Sequence, residues 1–188
     1  MMNLCDHRLC SLFICLLVVF LFSTCEKESL ASLIPEEFDG EANYVMNGQA
    51  RTSPALISPD RPLSDCYVHI NISDFSLGQP QASLIIDRVE LCESIGDTLP
   101  VIIIGNESSQ EPGLPIGRYR ILNGGDILSA SYGPSESPSR ENYVVITSYD
   151  ETTELIRASF KLYLLKSVGN DEDFPPTLDI EGTVEATL

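Results

Sequence analysis

His69 is the first residue to test for catalysis, because imidazole is the commonest general base in enzymes. It lies within YVHINI, an alternating segment typical of a β-strand. Nucleophilic catalysis also needs a nucleophile and an orienting group within hydrogen-bond reach, and no G-x-S-x-G motif or comparable setting accompanies this histidine. The sequence therefore predicts a solvent-facing strand histidine and assigns no catalytic residue.

Carboxylates are the next candidates, since the chain has 28 acidic residues against 11 basic ones. A glycoside hydrolase needs two acids about 5–10 Å apart, but with so many acids nothing in the sequence selects one pair. Asp179, Glu181 and Glu185 alternate with apolar residues, which indicates the solvated face of a strand. A hydrolase or glycan-processing accessory that uses surface carboxylates stays open as an alternative function.

Clustered oxygen ligands occur at 170–173, where Asp171 and Asp173 are weak candidates for binding calcium. This segment lacks the glycine and the distal glutamate of an EF-hand loop, so it is interpreted as a charged surface turn. Gly124-Gly125 lacks the Lys-Ser or Lys-Thr that follows in a phosphate-binding loop. We expect no metal and no cofactor.

The amino-terminal segment contains an uncharged apolar run at 9–22, shorter than the ~20 residues of a membrane-spanning helix. Such a run is typical of the hydrophobic region of a secretory signal. It leads into Phe22-Ser23-Thr24-Cys25 and then Glu26-Lys27-Glu28. These residues resemble the lipoprotein signal of Bacteroidota, in which the cysteine becomes the lipidated first residue. A conventional cleaved signal and an uncleaved anchor are the alternatives.

This resemblance implies a signal peptide at 1–24 and a lipidated Cys25. The acidic composition of the next residues predicts a tether, so that 25–41 forms the lipidated cysteine and tether, and the strand pattern predicts a domain at 42–188. Each buried methylene contributes ~0.8 kcal/mol, so two or three acyl chains on Cys25 would hold the protein on a membrane. We expect an exported outer-membrane lipoprotein, on the periplasmic side or at the cell surface. The tripeptide after Cys25 resembles the signal that directs such lipoproteins to the surface.

The chain has six cysteines, but Cys5, Cys10 and Cys15 lie in the predicted leader. Apart from the predicted lipid site, Cys66 and Cys92 remain. In an exported domain these two could form a disulfide, or each could fill the sheet core as a buried thiol; the sequence leaves both open. Together with one histidine they are too few for a zinc site.

The formal net charge of −17 excludes whole classes of partner. Nucleic acids and anionic lipid surfaces both require basic faces, and here the lysines and arginines are few and scattered. The chain is also 43% hydrophobic, which is too apolar for a disordered protein.

The residues from Ala42 onwards predict short strands bounded by turn residues, and no sustained helical periodicity. The predicted strands cover 42–47, 66–72, 82–91, 100–104, 118–122, 143–148, 154–165 and 178–188. Asn47-Gly48 favours a tight hairpin, and Tyr132 is expected to be an exposed loop aromatic. The fold predicted is all-β: an antiparallel β-sandwich, or an open barrel, of about eight strands.

The strands at 117–122, 143–150 and 156–160, and the closing Leu178–Gly182 segment, carry a further resemblance. They are similar to a family of Bacteroidota lipoproteins of uncharacterised function, which have small β-sandwich domains. The resemblance implies a fold and a location, and it carries no catalytic residues. Asp97-Thr98-Leu99 also resembles the O-glycosylation tripeptide of Bacteroidota, with Thr98 as the acceptor.

These observations together favour a monomeric, lipid-anchored cell-envelope protein without enzymatic activity. Its expected role is structural or is the binding of an unidentified protein or glycan ligand. The hydrolase and a subunit of a surface fibre or adhesin are the alternatives.

The lipid anchor is testable through Cys25, because the thioether bond requires the cysteine sulfur. We expect Cys25→Ala to move the protein from the membrane fraction to the soluble fraction on ultracentrifugation. Retention of the variant in the membrane fraction would show that the apolar segment is itself the anchor.

Overall fold

The computed structural model describes residues 35, 37–60, 63–76, 79–102, 114–123, 127–135 and 141–188. Within these residues the fold is all-β and antiparallel, which confirms the predicted class. Among them, no helix has the length and apolarity needed to cross a membrane. The predicted signal peptide, Cys25 and most of the tether lie outside the described residues. The first strand begins at Gly40, two residues before the predicted start of the domain.

Ten strands account for most of the described chain. They are β1 (Gly40–Met46), β2 (Gln49–Pro59), β3 (Tyr67–Ser76), β4 (Gln79–Glu90), β5 (Leu99–Pro100), β6 (Ile116–Asn123), β7 (Ile127–Pro134), β8 (Tyr143–Asp150), β9 (Leu155–Val168) and β10 (Thr177–Thr187).

Eight of these strands close into a barrel in the order β1-β2-β3-β4-β6-β7-β9-β10, with β10 paired back to β1. The predicted alternatives were a sandwich and an open barrel, and the sheet is a closed barrel. Every step around the barrel joins antiparallel neighbours in chain order. An eight-stranded barrel is just wide enough for its interior to be filled by side chains or to hold one small ligand.

The long strand β9 pairs with two strands along one edge. Its residues 164–168 pair with β7, whereas 155–161 pair with β8. β8 therefore continues the line of β7 beyond the segment at 135–142. The short β5 pairs with the start of β8, and Ile102 forms a parallel bridge to Ile116 of β6. Residues 99–102 thus link the start of β8 to the start of β6.

The core lies inside the barrel and follows the expected period of two. On β9, the predicted inward row Ile156, Ala158, Phe160, Leu162 and Leu164 is buried. On β10, the acidic residues of the predicted solvated row are exposed, and the apolar residues between them are buried. Both predicted strand faces are confirmed, because burial on one side of a sheet imposes a strict alternation.

Gly182 of β10 allows the barrel wall to close against a tyrosine. A Cβ at this position would lie 2.4 Å from the Cβ of Tyr44, closer than two non-bonded carbon atoms can approach. Tyr44 lies opposite Gly182 in the register of β1 with β10 and is buried. The glycine therefore makes room for the tyrosine side chain inside the barrel.

Two strands were missed by the sequence analysis, β2 and β7. β2 contains Pro54 and several polar residues, which weaken its alternation. β7 (ILSASYGP) mixes serines with small residues in the same way. The prediction that Tyr132 is an exposed loop residue is wrong: it lies on β7 and is 1% exposed.

Cys66 and Cys92 are joined by a disulfide in the structure, 26 residues apart along the chain. Cys66 lies just before β3 and Cys92 just after β4, so the bond links the ends of two paired strands. The hydrogen bond from Leu91 N to Cys66 O, 2.8 Å long, extends the same pairing.

Replacing both cysteines by serine should lower the free energy of unfolding by roughly 3–4 kcal/mol, because the loop is no longer closed in the unfolded chain. Urea denaturation of the wild type and of the Cys66→Ser/Cys92→Ser variant measures the difference. The wild type treated with dithiothreitol serves as a second comparison. Equal unfolding midpoints in all three samples would contradict a stabilising disulfide.

Candidate functional site

A cavity of about 530 Å³ opens at one end of the barrel, and we call it the mouth cavity. It lies at the end where β1 turns into β2, β3 into β4, and β6 into β7, and where the β9–β10 loop (169–176) crosses. The opposite end, where the described chain enters the barrel at Gly40, we call the far end. Barrel mouths are a common location for ligand sites, because strands hold the lining side chains rigidly.

A chain of buried hydrogen bonds lies in the wall beneath the mouth. Ser53 of β2 donates to a carboxylate oxygen of Asp74 on β3. The Tyr44 hydroxyl lies 3.0 Å from Ser53 Oγ. Since the serine proton is committed to Asp74, the tyrosine is the donor in this second bond. Three strands therefore contribute to one polar chain that ends on a carboxylate at the cavity.

Asp74 and Arg51 are half-exposed at the rim of this polar chain. The shortest distance between Arg51 and the second carboxylate oxygen of Asp74 is 3.8 Å. This is too long for a hydrogen bond, and the two side chains are 40% and 36% exposed. The pair contributes little to stability, and the outer oxygen of Asp74 remains able to accept a hydrogen bond.

Tyr119 and Tyr132 form the inner wall of the mouth cavity. They are directly opposite in the register of β6 with β7, and their rings pack edge to face with centroids 6.1 Å apart. Burial raises the pKa of the Tyr119 hydroxyl, and the neighbouring groups Tyr44 and Asp74 raise it further. Burial also raises the pKa of Tyr132. Both phenols therefore stay protonated at neutral pH.

Lys166, near the end of β9, holds the β9–β10 loop in place. Its ammonium group donates to the backbone oxygens of Asn170 and Phe174, both at 2.9 Å, and to the carboxylate of Asp171. The lysine side chain is only 8% exposed, and a buried ammonium group is stable only when such acceptors surround it. The contact with Lys166 lowers the pKa of Asp171.

The same loop forms one wall of the mouth cavity through Phe174 and Pro175. The Tyr132 hydroxyl donates to the backbone oxygen of Pro175 at 3.0 Å. Asn170 and Asp173 bond to each other twice, through Nδ2 to the carboxylate and through the Asp173 N–H to Oδ1. The hydrogen bond from Tyr132 inside the barrel and the bonds between side chains of the loop therefore fix the loop over the mouth.

A second polar cluster lies on the outer face of the barrel and contains His69, Asp87 and Arg118. Asp87 of β4 accepts from His69 Nδ1 on β3, and its other oxygen lies 3.1 Å from an Arg118 nitrogen on β6. Burial alone would raise the pKa of Asp87, but the hydrogen bond from His69 and the charge of Arg118 outweigh it. The pKa of Asp87 therefore lies below its usual value.

This outer cluster resembles part of a catalytic triad, but its contacts link three neighbouring strands, β3, β4 and β6. Ser58 of β2 lies opposite His69 in the register. Within the residues that the structure describes, however, no hydroxyl or thiol is hydrogen bonded to the imidazole. His69 is turned outward on its strand, as predicted, and is partly buried because Asp87 holds it.

The remaining predicted site residues are dispersed. Asp171 and Asp173 are exposed and are engaged by Lys166 and Asn170. No group of three or more histidine, cysteine or acidic residues in the described part of the chain could hold a metal ion. Thr98 is exposed just before β5, between β4 and β5. The structure does not bring any of these residues into the mouth cavity except Asp173.

The sequence analysis missed the polar residues of the mouth. One signal was available: Val68, Ile70 and Ile72 mark the inward positions of β3, and the next inward position is Asp74. A charged residue that continues an apolar row marks a point where the row leaves the core. No comparable signal identifies Ser53, because β2 itself was not predicted.

Comparisons with models of protein families, with curated proteins and with solved structures found no significant match to this chain.

The outer cluster gives a stability prediction. We expect Asp87→Asn to lower the free energy of unfolding by about 1–3 kcal/mol at pH 7, since Arg118 and His69 lose a charged acceptor. Because the pKa of Asp87 is lowered by folding, its contribution is present above the unfolded-state pKa and is lost as the pH falls through the lower folded-state pKa.

Chemical denaturation of both proteins at pH 7 and at a series of pH values below 4 measures this difference. The gap between wild type and variant should narrow as the pH falls. Asp97→Asn, at an exposed position near the far end, is the matched control with the same change of charge. A gap that stays constant with pH would contradict the assigned role of Asp87.

Proposed function

We propose that this protein is an exported, lipid-anchored protein of the outer membrane that binds a small ligand in the barrel mouth and performs no catalysis. The observation that carries the proposal is the mouth cavity itself. Its volume of about 530 Å³ falls within the usual range of small-molecule sites. Aromatic and aliphatic walls enclose it, and a few polar groups converge on it, which is the composition typical of ligand pockets.

The position of the mouth agrees with a lipid anchor. The described chain enters the barrel at the far end, through Gly40. The chain that precedes Gly40 therefore joins the barrel at the end opposite the cavity. The acidic charge of the tether and the domain favours separation from an anionic membrane surface.

The mouth cavity is a better candidate than the broader depression of about 880 Å³ on the outer face of β10, β1 and β2. That depression is lined largely by exposed, outward-facing side chains such as Asn43, Thr52 and Thr183. In the mouth, by contrast, a ligand would contact side chains that the barrel already buries, including Tyr119 and Tyr132.

The hydrogen bonds near the mouth favour binding over hydrolysis, because they join side chains within the barrel wall. Tyr44 donates to Ser53, and Ser53 donates to Asp74. A hydrolase would need its nucleophile exposed to the substrate, whereas Ser53 is 1% exposed and does not line the cavity. In this arrangement the carboxylate is oriented by the wall and is presented to the cavity as an acceptor.

A dye-binding experiment tests the proposal. N-phenyl-1-naphthylamine is neutral at pH 7 and fluoresces strongly in apolar surroundings, so we expect its emission to rise with the purified protein. Ala82→Trp places a large side chain at an inward position that lines the cavity and should abolish the increase. Ala50→Trp adds the same side chain at an exposed position of β2 and should leave dye binding unchanged.

Circular dichroism and thermal melting show whether each variant is folded. If Ala82→Trp does not fold, Ile121→Trp fills the same cavity from β6. Dye binding that persists in a folded, cavity-filled variant would refute the mouth as the ligand site.

A further inference from the structure

Tyr119 brings a phenol hydroxyl to the surface of the mouth cavity. The residue is 4% exposed and lines the mouth cavity. Among the described residues, its hydroxyl makes no hydrogen bond, although the nearby Tyr44 and Tyr132 hydroxyls each make one. A hydroxyl at the surface of a cavity can donate to or accept from a group that enters it. A ligand group in the cavity would supply such a hydrogen bond.

Asp74 offers a second unfilled position on the same cavity. One of its oxygens accepts from Ser53, and the other lies 3.8 Å from the nearest Arg51 nitrogen. Asp74 and Tyr119 both line the mouth cavity, and the charge of Asp74 is among the causes that raise the pKa of the Tyr119 hydroxyl. A hydrogen-bond donor of a ligand, placed between Asp74 and Tyr119, would bond to one carboxylate oxygen and one phenol oxygen.

The charges of the cavity favour a positive ligand. Arg51 is opposed by Asp74 and Asp173, so the lining carries more negative than positive charge. The nearest further cation, Lys166, is occupied by Asp171 and two backbone oxygens. The net charge of −17 gives the whole chain a negative field that concentrates cations.

The walls of the cavity favour a ligand with an apolar body. Tyr132 and Phe174 present aromatic surface on two sides, and Leu178 lies at the start of β10. Aromatic faces attract organic cations through their quadrupole as well as through apolar contact. A small hydrated metal ion would gain nothing from these walls.

We propose that the ligand of the mouth cavity is a small organic cation, whose ammonium group donates to Asp74 and Tyr119 and whose apolar body packs against Tyr132 and Phe174. This inference rests on the proposed function, because it names the class of ligand for the same cavity.

Three probes of similar size test the class of ligand: 2-phenylethylammonium, the neutral 2-phenylethanol, and the anionic 3-phenylpropanoate. Each is titrated against the purified protein with bound N-phenyl-1-naphthylamine, and displacement of the dye is measured. We expect the ammonium compound to bind at least about tenfold more tightly than the alcohol, and the carboxylate to bind most weakly. Equal binding of the alcohol, or tighter binding of the carboxylate, would overturn the proposal.

Asp74→Asn tests the carboxylate, because asparagine still accepts from Ser53 but carries no charge. We expect it to weaken binding of the ammonium compound at least about tenfold more than binding of the neutral 2-phenylethanol. Asp97→Asn, near the far end, changes the net charge by the same amount and serves as the control. It should alter the binding of neither compound. Tyr119→Phe keeps the ring and removes only the hydroxyl, so it should weaken the ammonium compound several-fold.

These readouts distinguish the two proposals. Dye that binds and resists displacement by 2-phenylethylammonium refutes the cationic ligand and leaves the mouth as a binding site. Absence of dye binding together with absence of ammonium binding refutes the site itself. Unchanged ammonium affinity in folded Asp74→Asn and Tyr119→Phe variants also refutes the assigned contacts.

Discussion

The pairing of β10 with both β1 and β9 is the interaction on which the rest of the structure depends. It joins the last strand to the first and removes two open sheet edges, which would otherwise expose unpaired backbone groups. Closure also creates an interior, so that one face of every barrel strand must be apolar or internally bonded. Gly182 permits this closure because it leaves space for Tyr44 inside the wall.

The interior changes character along the barrel axis. Isoleucine, leucine, valine and phenylalanine fill most of it, whereas tyrosine, serine and aspartate are placed towards the mouth. Buried polar groups are stable only when they are hydrogen bonded, and the bonds from Tyr44 through Ser53 to Asp74 meet this requirement within the wall. The Tyr119 hydroxyl differs, because it opens onto the mouth cavity and makes no hydrogen bond to another described residue. This cavity with its oriented polar groups is the observation on which the proposed ligand binding rests.

Strand prediction succeeded where one face of the sheet is uniformly apolar and failed where the barrel interior is polar. β9 and β10 alternate cleanly because they face the densest part of the core. β2 was missed because its inward row includes Ser53, and its outward row includes Pro54. β7 was missed because serine and glycine surround Tyr132. Ser53 of β2, which interrupts an apolar inward row, belongs to the polar chain beneath the mouth, so the local signal of this strand was weak near the candidate site.

The sequence by itself determined the all-β class, the inward faces of the last two strands and the pairing alternatives for Cys66 and Cys92, because these depend on local alternation and on residue type. Only the tertiary structure decided that the sheet closes, that Tyr132 is buried, and that Asp74 and Tyr119 share one cavity. Closure joins residues more than 130 positions apart, as in the hydrogen bond from Asp179 to Asn47. Such contacts depend on strand order and register around the whole barrel, which no local pattern of residues contains.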